Sequence, residues 1–139
     1  MTHAEDSDQM AAVQPNDVED TLAPLLNPGS VAIIGASDNP ARIGGRPLRY
    51  MRDAGFNGRI YPVNPKASEV AGLKCYPSIK EVPRPLDYII SAVPAPLVPQ
   101  LMAEAQGMGV KAVHLFTGRL AEMGTDEGIR MQREAVAAA

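Results

Sequence analysis

Tryptophan is absent from the 139-residue sequence, and its aromatic side chains are four tyrosines and two phenylalanines. A platform for stacking bases needs more than that, so nucleic-acid binding is poorly supplied. Cys75 is the single cysteine. One thiol makes neither an internal disulfide nor a multi-cysteine zinc site. No run approaches the ~20 apolar residues that span a bilayer. The opening residues, Met1-Thr2-His3-Ala4-Glu5-Asp6, show no basic stretch and no apolar stretch of a secretion signal. Together these absences point to a soluble cytoplasmic protein that engages neither membrane nor nucleic acid.

Lysine and arginine are missing from residues 1–30, which hold six acids: Glu5, Asp6, Asp8, Asp17, Glu19 and Asp20. Residues 31–139 hold 13 basic against 10 acidic residues. A mildly positive body suits a small anionic ligand better than a polyanion. Residues 1–20 are polar and acidic and read as a disordered tail. Residues 21–139 read as one domain, entered through a short apolar lead-in (Thr21 to Pro28), a helical turn stopped by Asn27-Pro28-Gly29.

From residue 30 onward, apolar runs alternate with helical patterns. Ser30–Ile34, Gly58–Val63, Leu86–Val93 and Val110–Phe116 read as strands. Pro62 marks an end or interruption of pairing in the second. Residues 43–54 and 96–106 carry apolar stripes at helical spacing, and Thr125 is placed to cap a last helix from Asp126. Ser78–Val82 holds at most a short helix. This alternation predicts a Rossmann-like α/β fold, a doubly wound parallel sheet with helices on both faces. The expected strand order is 3-2-1-4, with room for a fifth strand.

In such sheets ligands bind outside the carboxyl ends of the strands. Four loops are thereby singled out: 35–43, 64–68, 92–96 and 116–122. In the first, Gly35 permits a sharp turn, and Ser37 and Asn39 offer polar side chains. Gly44-Gly45 permits close backbone approach at a helix start, where unpaired N–H groups favour phosphate, and Arg42 adds a charge. This loop lacks the Gly-x-Gly-x-x-Gly fingerprint: position 37 is Ser and position 40 is Pro. The acid that would hold the ribose of NAD is also missing, since the second strand ends Val63-Asn64-Pro65-Lys66. A cation there favours an additional phosphate on the ribose, which leaves NADP or coenzyme A. The third loop, with Val93, Pro94 and Pro96, forms a low rigid wall. The fourth adds Thr117 and Gly118. His114 reads as a packed strand residue and Cys75 as inert. There is no nucleophile–base pair, paired carboxylate set or metal-ligand cluster, so no catalytic or metal residue is assigned.

Five blocks then resemble one family. They are Asn27–Ser37, Ile43-Gly44-Gly45, Tyr61–Lys66, Gly72–Ser78 and Ala92–Pro96. In this order they are similar to the CoA-binding domain of NDP-forming acyl-CoA synthetases, relatives of the succinyl-CoA synthetase α subunit. The resemblance covers residues 22–139. It implies that the ligand is coenzyme A. Its phosphates would lie at Gly35, Ser37, Arg42, Ile43 and Gly44, and its adenosine-phosphate end at Asn64, Pro65 and Lys66. The arm would run along Val93, Pro94, Thr117 and Gly118. The implied partners are coenzyme A or acyl-CoA and the remaining domains or subunit of such a synthetase, a ligase that makes acyl-CoA from acid, CoA and ATP through phosphoryl transfer. A free-standing CoA-binding protein fits the same blocks. Loop four departs from the family's Ser-Ala-Gly-Phe-Ala-Glu at Arg119 and Leu120, near the thiol end. The family pattern continues into a fifth strand and a Gly-Pro-Asn-Cys segment, so the expectation is a domain lacking its last strand and a chain without a complete active site. The alternatives are an NADP-dependent oxidoreductase domain, for which no proton-transfer residue is visible, and a non-catalytic subunit-docking module.

Overall fold

The computed structural model describes residues 22–139. The acidic tail expected over residues 1–20 lies outside them. Four parallel strands form the sheet: β1 (Ser30–Ile34), β2 (Arg59–Val63), β5 (Tyr88–Ser91) and β6 (Ala112–Leu115). A separate antiparallel pair, β3 (Glu69–Val70) and β4 (Leu73–Lys74), lies between β2 and β5 in the chain. Three α-helices follow the rim: α1 (Arg46–Asp53), α2 (Val98–Gly107) and α3 (Asp126–Ala137). A one-turn 3-10 segment precedes each, and another spans Ile79–Glu81. Residues 22–26 form the expected helical turn.

β1 is buried throughout, as its unbroken Val-Ala-Ile-Ile run requires of a strand covered on both sides. Its side chains alternate between two cores. Ala32 and Ile34 join Tyr61, Val63, Ile89, Leu101 and Ala105 on the face covered by α2. Val31 and Ile33 join Leu48, Val70 and Cys75 on the face covered by α1 and the β3–β4 pair. Ile33 and Ile89 are completely buried, and each contributes about 2 kcal/mol of hydrophobic stabilisation. α3 packs beside α2. Thr125 caps it as its hydroxyl accepts from the Gly128 N–H at 3.1 Å, with Asp126 and Glu127 in the first turn.

The expected strand order is corrected. The sheet runs β2-β1-β5-β6, so the third long strand lies against β1 rather than outside β2. Pro62 supplies the reason. On the outer edge of β2 its carbonyl accepts from the Tyr76 N–H, and its ring nitrogen has no proton to donate. That edge takes only an isolated bridge at Tyr76. The opposite side of β1 is open to a full ladder and receives β5 from Val31 to Ile34. A knot of hydrogen bonds fixes the same pairing at the other end. The Asp87 carboxylate accepts from the Gly29 and Ser30 N–H groups at 3.0 and 3.1 Å, and the Ser30 hydroxyl donates to the Pro85 carbonyl at 2.9 Å.

A second correction concerns His114. It lies in β6 as expected, but its side chain is exposed, not buried. Its ring stacks on Phe116 with centroids 4.4 Å apart.

Candidate functional site

The carboxyl ends of β1, β2, β5 and β6 bring the four expected loops to one rim. Loop one leaves β1 through Gly35, whose φ of +80° favours a residue without Cβ. The Gly35 and Ala36 N–H groups both donate to the Val63 carbonyl, at 2.9 and 3.2 Å, tying the turn to the end of β2. Side chains then stiffen the loop from within. The Ser37 hydroxyl accepts from the Asn39 N–H at 3.1 Å, and the Asn39 side-chain Oδ1 accepts from the Ala41 N–H at 2.9 Å.

Loop two is fastened to loop one by Asn64. Its amide donates to the Ala36 carbonyl at 2.9 Å and its side-chain oxygen accepts from the Lys66 N–H at 2.9 Å. Asn64 is thus occupied in holding the two turns together, while Pro65 and Lys66 face solvent. The sequence shows an Asn beside a cation; the brace needs Ala36, 28 positions away, and has no sequence signature. A further brace comes from the β3–β4 turn. The Asp38 carboxylate accepts from the Ala71 N–H at 2.6 Å and the Arg52 guanidinium donates to the Ala71 carbonyl. Ala71 sits at φ +51°, a left-handed conformation uncommon for alanine, and both of its peptide groups are held.

The Gly44-Gly45 pair also serves the packing of the chain on itself. A Cβ on Gly44 would collide with the Gly35 carbonyl, and one on Gly45 with the Asn39 carbonyl. The missing side chains let the start of the helical segment press onto loop one itself. The close approach is between two pieces of this chain.

Loops three and four form an open crevice of about 770 Å³. Ile43, Val93, Pro94, Thr117 and Gly118 line it, five of the twelve residues singled out in the sequence. The Thr117 hydroxyl donates to the Val93 carbonyl at 2.9 Å and clasps the two loops. Gly35 abuts this wall at Ala92. Ser37 lies instead in a smaller hollow beside Arg49 and Arg52, and Asn64, Pro65 and Lys66 stand on the neighbouring turn. The start of α3 closes the crevice with Thr125, Glu127, Gly128 and Met131, which the sequence reading did not include. The Thr125 cap was the available signal, since it fixes where that helix begins.

Arg42 and Lys66 are exposed cations on this rim, and among the described residues neither has a carboxylate within ion-pair distance. Burial pushes the Cys75 thiol up from its ordinary value, which suits an inert side chain. Among the described residues no helix is long and apolar enough to cross a membrane.

The profile of the CoA-binding domain family matches residues 29–139. The chain belongs to that family. Among its relatives, the ADP-forming acetate–CoA ligase II of Archaeoglobus fulgidus is 41% identical over 112 residues, 81% of this chain and 16% of that protein. The α subunit of ADP-forming acetate–CoA ligase I of Pyrococcus furiosus is 38% identical over 120 residues, 84% of this chain and 26% of that subunit. The dinucleotide forming acetyl-coenzyme A synthetase 1 of Ca. Korarchaeum cryptofilum, solved with phosphate and ADP, superposes with a TM-score of 0.78 at 36% identity, over 85% of this chain and 25% of that one. This CoA-binding domain therefore spans about a quarter or less of the length of these relatives. The Rossmann-like fold and the likeness to NDP-forming acyl-CoA synthetases stand as expected, and neither NADP-dependent oxidation nor ligand-free docking is favoured.

Proposed function

We propose that this chain binds coenzyme A across the carboxyl rim of its sheet, as the CoA-binding module of an NDP-forming acyl-CoA synthetase. The observation that carries the proposal is the meeting of Ile43, Val93, Pro94, Thr117 and Gly118 around one crevice, beside a turn that presents Lys66, which among the described residues has no carboxylate within ion-pair distance. The residues suit the ligand's chemistry. The diphosphate lies against loop one and the start of the helical segment at Gly35, Ser37, Arg42, Ile43 and Gly44. The phosphorylated ribose meets Lys66 on the turn shaped by Asn64 and Pro65. The arm lies on the low wall of Val93 and Pro94 and under the Thr117–Gly118 loop. Ligase chemistry is assigned to the additional chain that the relatives carry, and the compartment to the cytoplasm.

Titration calorimetry with coenzyme A and dephospho-coenzyme A tests this reading. A charge-assisted hydrogen bond to the ribose phosphate is worth about 1.5–3 kcal/mol. Dephospho-coenzyme A should therefore bind at least about tenfold more weakly, and Lys66→Ala should bring coenzyme A down to the same level. Equal affinities would remove Lys66 from that role. Binding of NADPH with none of coenzyme A would replace the reading with a dehydrogenase domain.

A further inference from the structure

Loop four is anchored at both ends and loose in its middle. At its start the Phe116 N–H donates to the Ser91 carbonyl at 2.8 Å, and the Thr117 hydroxyl to the Val93 carbonyl. At its far end the Ala121 N–H donates to the Gln132 side chain at 3.2 Å. There Gly128 of α3 lies so close to the Leu120 carbonyl that a Cβ would collide with it. Between these anchors Gly118 and Arg119 make no backbone–backbone hydrogen bond among the described residues. Both line the crevice, so this loose span is its lip. Arg119 holds a φ of +69°, a left-handed conformation that arginine rarely adopts.

Glu122 reaches this span from behind. It does not line the crevice, and its carboxylate accepts from the Leu120 N–H at 3.0 Å. Its own N–H, the Leu120 N–H and the Arg119 N–H together hold the carboxyl below its ordinary range. The other carboxylate oxygen stands 3.6 Å from the point where a Cβ on Gly118 would lie. Among the described residues no cationic side chain lies within ion-pair distance of Glu122, so its charge serves the backbone of the lip. We infer that Glu122 is a positioning residue: its carboxylate fixes the left-handed turn at Arg119 and so sets the lip over the part of the crevice that takes the arm of coenzyme A. The inference rests on the coenzyme A reading, which lays the arm under Thr117 and Gly118. A flexible arm gains most from a surface already in place, because ordering that surface on binding costs affinity. Without the carboxylate, Arg119 is released toward negative φ and Gly118 moves with it. Loops one and two hold the phosphate side through other side chains, Asn64 and Asp38 among them.

Calorimetry on the full chain compares pantetheine with adenosine 3′,5′-bisphosphate. Glu122→Ala should weaken pantetheine about tenfold, and Glu122→Gln, which keeps a neutral acceptor, about threefold. The bisphosphate should bind the parent and both variants alike. Glu122 is exposed, so neither variant disturbs the core. Arg119→Asn supplies a readout that a direct contact with the ligand would not move. Asparagine tolerates the left-handed conformation, so adding Glu122→Ala to Arg119→Asn should cost pantetheine less than about threefold. Unchanged pantetheine affinity in Glu122→Ala would overturn the inference. Equal losses for the two ligands would overturn it as well, and so would the full loss of pantetheine affinity on the Arg119→Asn background. Each of these outcomes leaves the coenzyme A reading intact. Failure of the parent chain to bind either ligand would remove both readings together.

Discussion

Loop one is joined to loop two by Asn64, whose side chain reaches the Ala36 backbone, to the β3–β4 turn by Asp38 at Ala71, and is held within itself by Ser37 and Asn39. Loops three and four, on the same rim, are joined to each other by one such bond, from Thr117 to Val93, while loop four is held within itself by Glu122 and to α3 by Gln132. The first pair has its shape before any ligand arrives. The second frames an open space walled by exposed apolar side chains. This division matches the two kinds of chemistry in a molecule such as coenzyme A. Phosphates demand fixed donors and cations, because each misplaced polar contact is costly. A flexible arm demands mainly a surface to lie on.

The contrast can be broken most severely at Gly44. Gly44→Ala would drive a methyl group into the Gly35 carbonyl. We expect a loss of about 3 kcal/mol in urea unfolding, together with loss of coenzyme A binding. A variant as stable as the parent would show that the helix start does not press on loop one. Asn64→Ala comes next. It strips a partner from the Ala36 carbonyl and another from the Lys66 N–H, and should lower stability by about 2 kcal/mol. Its affinity for coenzyme A should fall more than its affinity for pantetheine, because the damage lies on the phosphate side. Equal losses for the two ligands would dissolve the distinction between the halves.

Thr117→Val sharpens the comparison from the other side. One hydrogen bond disappears with little change in shape, so thermal or urea unfolding should register about 1 kcal/mol. Pantetheine binding should now weaken more than binding of adenosine 3′,5′-bisphosphate. The smallest effect is expected at Ser91, at the end of β5. Its hydroxyl is fully buried and, among the described residues, has no hydrogen-bond partner. Ser91→Ala should raise stability by a few tenths to about 1 kcal/mol in the same unfolding measurement. A loss instead would mean that the hydroxyl is satisfied in solution.

How much of this was legible in the residues depends on distance along the chain. Strands with unbroken apolar runs, such as Val31–Ile34, and helices with a marked start, such as the one capped by Thr125, were readable because their signals are local. Strand order was not. Pro62 was recognised as disruptive, but which edge it disables depends on whether its carbonyl points toward β1 or away from it. The β3–β4 pair was missed because strands of two residues have no periodicity to detect. Its importance lies in the turn at Ala71, which donates to Asp38 and accepts from Arg52, neither of them near it in sequence. The glycines at 44 and 45 mark a close approach in this loop, and glycine signals such an approach without naming what approaches. The crevice was half legible. Its loops followed from the topology, and its far wall, from Thr125 to Met131, required the packing of α3.

Asp87 and Ser30 lie at the opposite end of the molecule from the crevice, and their hydrogen bonds fasten the beginnings of β1 and β5 to each other. Two neighbouring strands pinned at one end and laddered along their length cannot slip past one another. Loops one and three, which grow from their far ends, are therefore carried as a single jaw. Whatever enters between them must be admitted by the opposite jaw, built from the Thr117 loop and the start of α3.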